Sequence, residues 1–552
     1  MNRIFANADG CRFELEKTSS TLDVGAVFSN SKMLPSDKAK TDSSAYLGIA
    51  RANTLETEES HRQALRARIH PTSLRDLLLF SSLYPETVEG KACLQQAWKV
   101  LSGQFSENPP PLPPDFALTA TALVKLIQPG IINQPTTPEI PQEAISLIET
   151  IGACLPNRQL KGHYAKTLEE IKNLPPEQID LARALILLDT TNPGSLTAVE
   201  AALDVLALEL LAQTGKDADD ETKISNLTRL LFHDLEIRFP PQSEASEKTQ
   251  QFSDLSSVLF SRRGVCLGAS VLYLTLAQRI GVPLSIYTPP GHIFVAHKTP
   301  TRLHVIETTA RGIDIPIDRY LGLSLKSLAE RTMKEVVGMV IFNRTASMLK
   351  NKKWDEALHS YQKALTFESG EEVQQMMSLC ELLNGQKGAS QKRAEATIKN
   401  LPDNRLEPDL MLVDLAQGTL SKKAAETIIQ FSEAEGEQLL EAIDALQKVQ
   451  PECKDSCVVP LHLAHAWLSY GKPKEALPLL EQLCKRDDAL CSVHALLAHL
   501  YLERMNIPGA WQEAVIAVKK AKLRGCLPRP LYHLIIELQQ ESPHCTDISD
   551  LL

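Results

Sequence analysis

Residues 262–284, RRGVCLGASVLYLTLAQRIGVPL, place apolar side chains at Leu267, Val271, Leu272, Leu274, Leu276 and Ile280, nearly all round a helix. A helix without a wide polar face belongs inside a core, so the rest of its domain has to wrap around this segment. Gly264 ahead of it, and Gly281 with Pro283 behind it, mark where the helix starts and stops. Cys266 falls in the first turn. There the unpaired backbone amides and the positive end of the helix dipole favour thiolate over thiol, and thiolate is the form that attacks a carbonyl.

The pattern changes after Gly281. LSIYT (284–288), HIFVAH (292–297) and RLHVIET (302–308) are short, β-branched or alternating, and separated by PPG and KTPT, which predicts adjacent antiparallel strands. His292 follows Pro290-Gly291 and opens the second strand, and Glu307 closes the third. Thiol chemistry needs a histidine that takes the thiol proton and returns it to the leaving group, and an acid that fixes the imidazole tautomer. Cys266, His292 and Glu307, in that order, are therefore the candidate catalytic set. Singly, each has a plainer account as a packed cysteine, a turn histidine and a surface carboxylate. Their joint occurrence after G-x-C at a helix start and P-G-H at a strand start favours the catalytic account. His297 and His304 are rival bases and rank lower, because strand alternation turns His297 away from His292 and His304 away from Glu307.

A chain of 552 residues predicts about three folded units. Its 43% apolar and 23% charged residues are ordinary for a globular chain, and the abundance of Ala, Leu, Glu and Lys predicts mostly helix. Residues 1–60 lack sustained apolar periodicity and read as a mobile polar arm. Residues 61–175 read as a helical region interrupted by the proline runs 108–115 and 128–143, and 176–330 as the cysteine domain. Residues 335–545 return to helix and carry a repeat. Ala464, Trp467 and Ala476 recur as Ala498, Tyr501 and Ala510, shifted by 34 residues, the length of a tetratricopeptide helix-turn-helix unit. Ala357, Tyr361 and Ala364 fit the second helix of an earlier copy, whereas 371–450 match poorly and are either degenerate repeats or an unrelated bundle. Such an array predicts a concave protein- or peptide-binding surface, with a rigid spacer as the alternative.

The net charge of −10 and the absence of a basic stripe with interleaved aromatics exclude a general nucleic-acid binder. No window is long and apolar enough for a membrane span, and the first residues lack a secretory h-region. Eleven scattered cysteines predict reduced thiols in a cytoplasmic setting, with export by another route through the polar arm as the weaker expectation. Cys453 and Cys457 stand four apart without histidines at a zinc spacing, so no metal is expected, and no cofactor is implied because cysteine chemistry supplies its own nucleophile.

LTRLLFHDLEIRF, followed by SDLSSVLFSRRGVCLGASVLYLTLAQRIGVPLSIYTPPGHIFVAH, resembles the bacterial transglutaminase-like proteins related to the SirB regulators, many of which carry tetratricopeptide repeats. The resemblance spans roughly residues 180–320 and rests on Arg263-Gly264, Leu272–Leu274, Arg279, Gly281, Pro283 and Pro290-Gly291-His292. It implies a mostly α protein with a helical N-terminal part, an α+β papain-like core and a C-terminal α-solenoid. It further implies a cysteine amidase, peptidase or transglutaminase working through a thioester on Cys266. Many members of that branch lack cysteine at the matching position and look like scaffolds, so an inactive adaptor is the alternative. Retention of Cys266 favours activity, whereas Glu307 stands where the wider superfamily more often has Asp.

Overall fold

The computed structural model describes residues 58–103, 111–114, 116–127, 141–189, 193–215, 217–240, 251–288, 293–314, 329–368, 370–401, 409–432, 434–486, 491–523 and 529–542. The first 57 residues of the expected arm lie outside these, as do Pro290, Gly291 and His292.

The helical N-terminal part comprises α1 (Glu58–Arg68), α2 (Leu74–Leu83), α3 (Val88–Ser102), α4 (Phe116–Ile127), α5 (Gln142–Gly152) and the short α6 (Leu168–Lys172). Side-chain caps set the starts of α2 and α3: the Ser73 hydroxyl accepts from the Asp76 amide, and the Thr87 hydroxyl from the Gly90 amide. Helix α7 (Leu181–Asp189) leads to α8 (Pro193–Thr214). Ala, Leu and Val fill α8 on every side, and it is buried along most of its length. It is the hub of this half, packing on α3, α4, α5 and α7 before it in the chain. Helix α9 (Asp220–Arg229) ends in a π-helical turn, Leu230–Asp234, and also lies against α8.

Helix α10 (Leu255–Ser261) ends at Arg262 in the left-handed region, which turns the chain into α11 (Cys266–Ile280). From Leu267 to Ala277 every α11 side chain is buried, and Gly281 closes the helix at φ 75. The three expected strands follow as β1 (Ser285–Thr288), β2 (Phe294–Lys298) and β3 (Leu303–Ile306). A fourth strand, β4 (Ala329–Arg331), was not foreseen, being short and mostly exposed; the antiparallel order is β3-β2-β1-β4. Ile286, Val295 and Ile306 join the core that contains α11, while Tyr287, Phe294, Ala296 and Val305 form a small cluster of their own. This is the period-2 division of a two-sided sheet.

Beyond β4 the chain is an array of antiparallel helices: α12 (Met333–Lys350), α13 (Trp354–Leu365), α14 (Glu371–Leu383), α15 (Lys387–Lys399), α16 (Leu410–Gln417), α17 (Lys422–Gln430), α18 (Gln438–Val449), α19 (Val458–Ser469), α20 (Pro473–Cys484), α21 (Cys491–Glu503), α22 (Ile507–Leu523) and α23 (Arg529–Glu541). Five of its hairpins share one turn. A residue with positive φ stands at Lys352, Gly385, Gly418, Gly471 and Met505. In each case the next amide donates back to the helix: Lys353 to Met348 O at 2.9 Å, Gln386 to Glu381 O at 2.8 Å, Thr419 to Asp414 O at 3.0 Å, Lys472 to Trp467 O at 2.8 Å and Asn506 to Tyr501 O at 2.8 Å. The hairpins of 371–430, whose sequence matches the repeat poorly, thus use the same turn as those whose sequence matches well. Ala357, Tyr361, Ala364, Ala464, Ala476, Ala498 and Ala510 are buried between helices, as close helix approach requires. Asp414 reaches from α16 to cap α19, accepting from the Ser456 hydroxyl and from the amides of Cys457 and Val458.

The array is welded to the cysteine half rather than tethered to it. Arg344 of α12 pairs with Asp189 of α7 and with Asp254, the residue preceding α10, and Asn343 donates to the Ser253 hydroxyl at 2.7 Å. One hydrophobic core runs from Leu74 to Leu500. Among the described residues no helix is long and apolar enough to cross a membrane.

Candidate active site around Cys266

Cys266 is the first residue of α11 and is partly exposed, while the next residues of the helix are buried. The chain before it is held on two sides. Arg238 forms a parallel bridge with Arg263, the Arg238 amide donating to Arg262 O at 2.9 Å and the Gly264 amide to Arg238 O at 3.1 Å. The Val265 amide donates to Phe252 O at 3.0 Å. Two glycines make this approach feasible. A Cβ on Gly268 would lie 2.1 Å from Phe252 O and 2.9 Å from Val258 Cγ2, and one on Gly264 3.0 Å from the Ala269 amide nitrogen. Backbone from 252 therefore lies directly against the first turn of the helix, so the thiol projects from a fixed point.

Glu307 follows β3, buried at 1% exposure. Its Oε1 accepts from the Thr309 amide at 3.0 Å and the Thr309 hydroxyl at 2.5 Å. The backbone on either side is tied into a tight loop, the Glu307 amide donating to Ile313 O at 3.1 Å and the Gly312 amide to Glu307 O at 2.8 Å. Gly312, at φ 75, passes so close to α9 that a Cβ would lie 2.6 Å from Thr228 Cγ2. The next residue, Thr308, shares a buried hydroxyl–hydroxyl hydrogen bond of 3.0 Å with Ser270, one turn beyond Cys266. The structure thus ties the Glu307 turn to the cysteine helix. His292, the third member of the set, lies outside the described residues.

The rival histidines sit opposite one another in the β2–β3 register. Nε2 of the buried His297 lies 3.4 Å from Asp220, and Nε2 of His304 lies 3.6 Å from Asp314. Each is thereby engaged by a carboxylate of a neighbouring segment. Sequence reasoning did not pick out Phe252, Gly268, Ser270 or Gly312. The small side chains in the first turn of α11 were the available signal for a close backbone neighbour.

At its other end α11 is locked by a buried ionic network. Arg279 is fully buried; its Nε donates to Asp204 at 2.9 Å, and its Nη1 lies 3.9 Å from Asp180 and donates to Thr275 O at 3.2 Å. Arg158 also pairs with Asp204, and Arg183 with Glu200 at 2.7 Å, so three guanidiniums face three carboxyls. Arg158 Nη1 lies 2.7 Å from His163 Nε2, which leaves Nε2 as the acceptor and Nδ1–H as the donor to Asp180 at 2.9 Å. Against burial, which alone would raise it, Arg279 with His163 and Asn157 holds the Asp180 carboxyl well below its ordinary range. Burial pushes the Glu200 carboxyl up to about 8 against the pull of Arg183. Arg279, read from sequence only as part of a family pattern, is the pin that holds the cysteine helix to α8.

No curated protein matches this chain. Among solved structures it is similar to a thermophilic TPR protein of Thermus thermophilus, with 15% identity, 36% of this chain and 99% of that one covered, and a TM-score of 0.20. Residues 197–322, which run from α8 through Cys266 and Glu307, match the model of the transglutaminase-like superfamily.

Proposed function

We propose that this chain is a transglutaminase-like cysteine hydrolase or acyltransferase acting on peptide or amide bonds. Cys266 Sγ attacks the carbonyl carbon as the C–N bond breaks, His292 passes the thiol proton to the departing nitrogen, and the acyl group remains as a thioester. Water or an amine then takes the acyl group and restores the thiol. Glu307 orients the imidazole, and the Cys266 amide is the natural first donor to the oxyanion. The observation that carries this reading is the presentation of Cys266, partly exposed, at the first position of an otherwise buried helix.

The reading divides the chain into a helical region at 61–175, a cysteine domain at 176–330 and a repeat region at 335–545 that selects a protein or peptide. It also takes in the SirB relation, a bacterial origin and work in the cytoplasm. A second reading, an inactive adaptor, is favoured by one observation: Glu307 Oε1 already caps a turn through Thr309.

Iodoacetamide labelling across pH, with site mapping, separates the two. Rapid labelling of Cys266 below the ordinary thiol pKa of about 8.5, slowed in His292→Ala, is expected of the enzyme. Slow labelling that rises only near that pKa and ignores His292 leaves the adaptor.

A further inference from the structure

Among the described residues, two groups bring three metal-ligand side chains within 4.8 Å of one another: His163, Asp180 and Glu200, and Cys484, His494 and Glu513. The first is filled by its own counter-charges. His163 offers one nitrogen to Arg158 and the other to Asp180, and Arg183 and Arg279 take up the carboxyls. A cation there would displace arginines from a sealed core.

The second group is built differently. Cys484 is the last residue of α20, His494 lies in α21 and Glu513 in α22, so three successive helices of the array each contribute one donor. His494 is buried, and its Nδ1 lies 2.6 Å from Glu513 Oε2. Glu481, one turn before Cys484, is held by the Tyr501 hydroxyl at 2.8 Å and adds a further carboxylate to the surroundings of the thiol, with Lys520 as a counter-charge. The surroundings are therefore acidic, and the donors are sulfur, imidazole nitrogen and carboxylate oxygen, the set that borderline divalent ions such as Zn²⁺ favour. Tetrahedral ligands at roughly 2.0–2.3 Å from an ion stand roughly 3.3–3.5 Å apart, so closing this group on a metal takes side-chain shifts of about 1 Å.

We infer that Cys484, His494 and Glu513 form a zinc-type divalent-cation site that staples α20, α21 and α22 together. On binding, the thiol proton leaves to solvent, the imidazole proton moves from Nδ1 to Nε2, and the three freed donors take the ion. The fourth position is left to water. Sulfur, nitrogen and oxygen donors from three helices would cross-link two adjoining hairpins, the last of which has a core of its own.

The test uses full-length, chelator-stripped protein with Cys154→Ala and Cys266→Ala, which remove an exposed and a partly exposed competing thiol, and Co²⁺ as the probe. One equivalent of Co²⁺ is expected to give visible d–d bands and a near-ultraviolet sulfur-to-cobalt charge-transfer band. The charge-transfer band should disappear in Cys484→Ser, and Co²⁺ affinity should fall at least about 10-fold in Glu513→Gln. Zn²⁺ should abolish both bands and raise the temperature at which the array melts. Absence of a charge-transfer band in the parent, or its full retention in Cys484→Ser, overturns the assignment. Unchanged affinity in Glu513→Gln, which retains the side chain's shape, also overturns it.

Discussion

Gly268→Ala reverses the usual effect of that substitution. Within a helix, replacing glycine by alanine ordinarily stabilises by about 1 kcal/mol, because alanine restricts the unfolded chain and favours helix. At Gly268 the added Cβ would stand 2.1 Å from Phe252 O and 2.9 Å from Val258 Cγ2, well inside van der Waals contact, and the nearer atom is backbone. The helix has to move away from segment 251–253 by about 1 Å, an overpacking cost of about 1–3 kcal/mol. The same movement stretches the 3.0 Å bond from the Val265 amide to Phe252 O, which costs about 1 kcal/mol more. Set against the propensity gain, the net expectation is a loss of about 1–3 kcal/mol. Urea unfolding of the full chain, followed by circular dichroism, gives the sign, and Cys266 labelling rate reports the displaced first turn. A variant as stable as the parent, or more so, with unchanged labelling, would refute the close approach of 252 to the cysteine helix.

Arg279→Met leaves Asp180 and Asp204 buried without their shared cation and should cost about 3–5 kcal/mol in urea unfolding; a loss below about 1 kcal/mol would remove Arg279 as the pin of α11. Arg344→Met breaks both carboxylate pairs between α12 and the cysteine half, at a cost of about 2 kcal/mol, and should separate the unfolding of the array from that of the core. A single unshifted transition would contradict the weld. Glu200 has its folded pKa raised to about 8, so the folded state holds a proton that the unfolded state releases near 4.5. The stability from that proton is full below about pH 4.5 and is lost as pH rises through about 8. Between these limits the urea midpoint of the parent should therefore fall relative to that of Glu200→Gln, and parallel pH profiles would argue against a buried protonated Glu200.

Much of the fold was legible because it rests on local rules. The apolar circumference of 266–280 implied a central helix, Gly281 its end, and the alternation in 284–308 three antiparallel strands; each is present. The fourth strand, Ala329–Arg331, carries no such signal, since three mostly exposed residues owe their conformation to pairing with β1. The hairpins of 371–430 were obscure for a related reason: their packing residues vary, while the shared turn asks for a tolerated positive φ and a backbone hydrogen bond. Lys352 and Met505 meet that demand without being glycine.

At the candidate site, residue types and their order nominated Cys266 and Glu307, because a thiol at a helix start and an acid at a strand end are features of short segments. The sequence by itself therefore determined the element types, the repeat and the chemical nature of the candidates. Tertiary structure alone decided what surrounds them: Phe252 against Gly268, Ser270 bonded to Thr308, Arg279 shared between Asp180 and Asp204, and Cys484 gathered with His494 and Glu513 from three helices. The reason is physical. Periodicity reports which face of a segment avoids water, but partners distant in the chain meet only when those faces pack, and no local pattern encodes which partner is met.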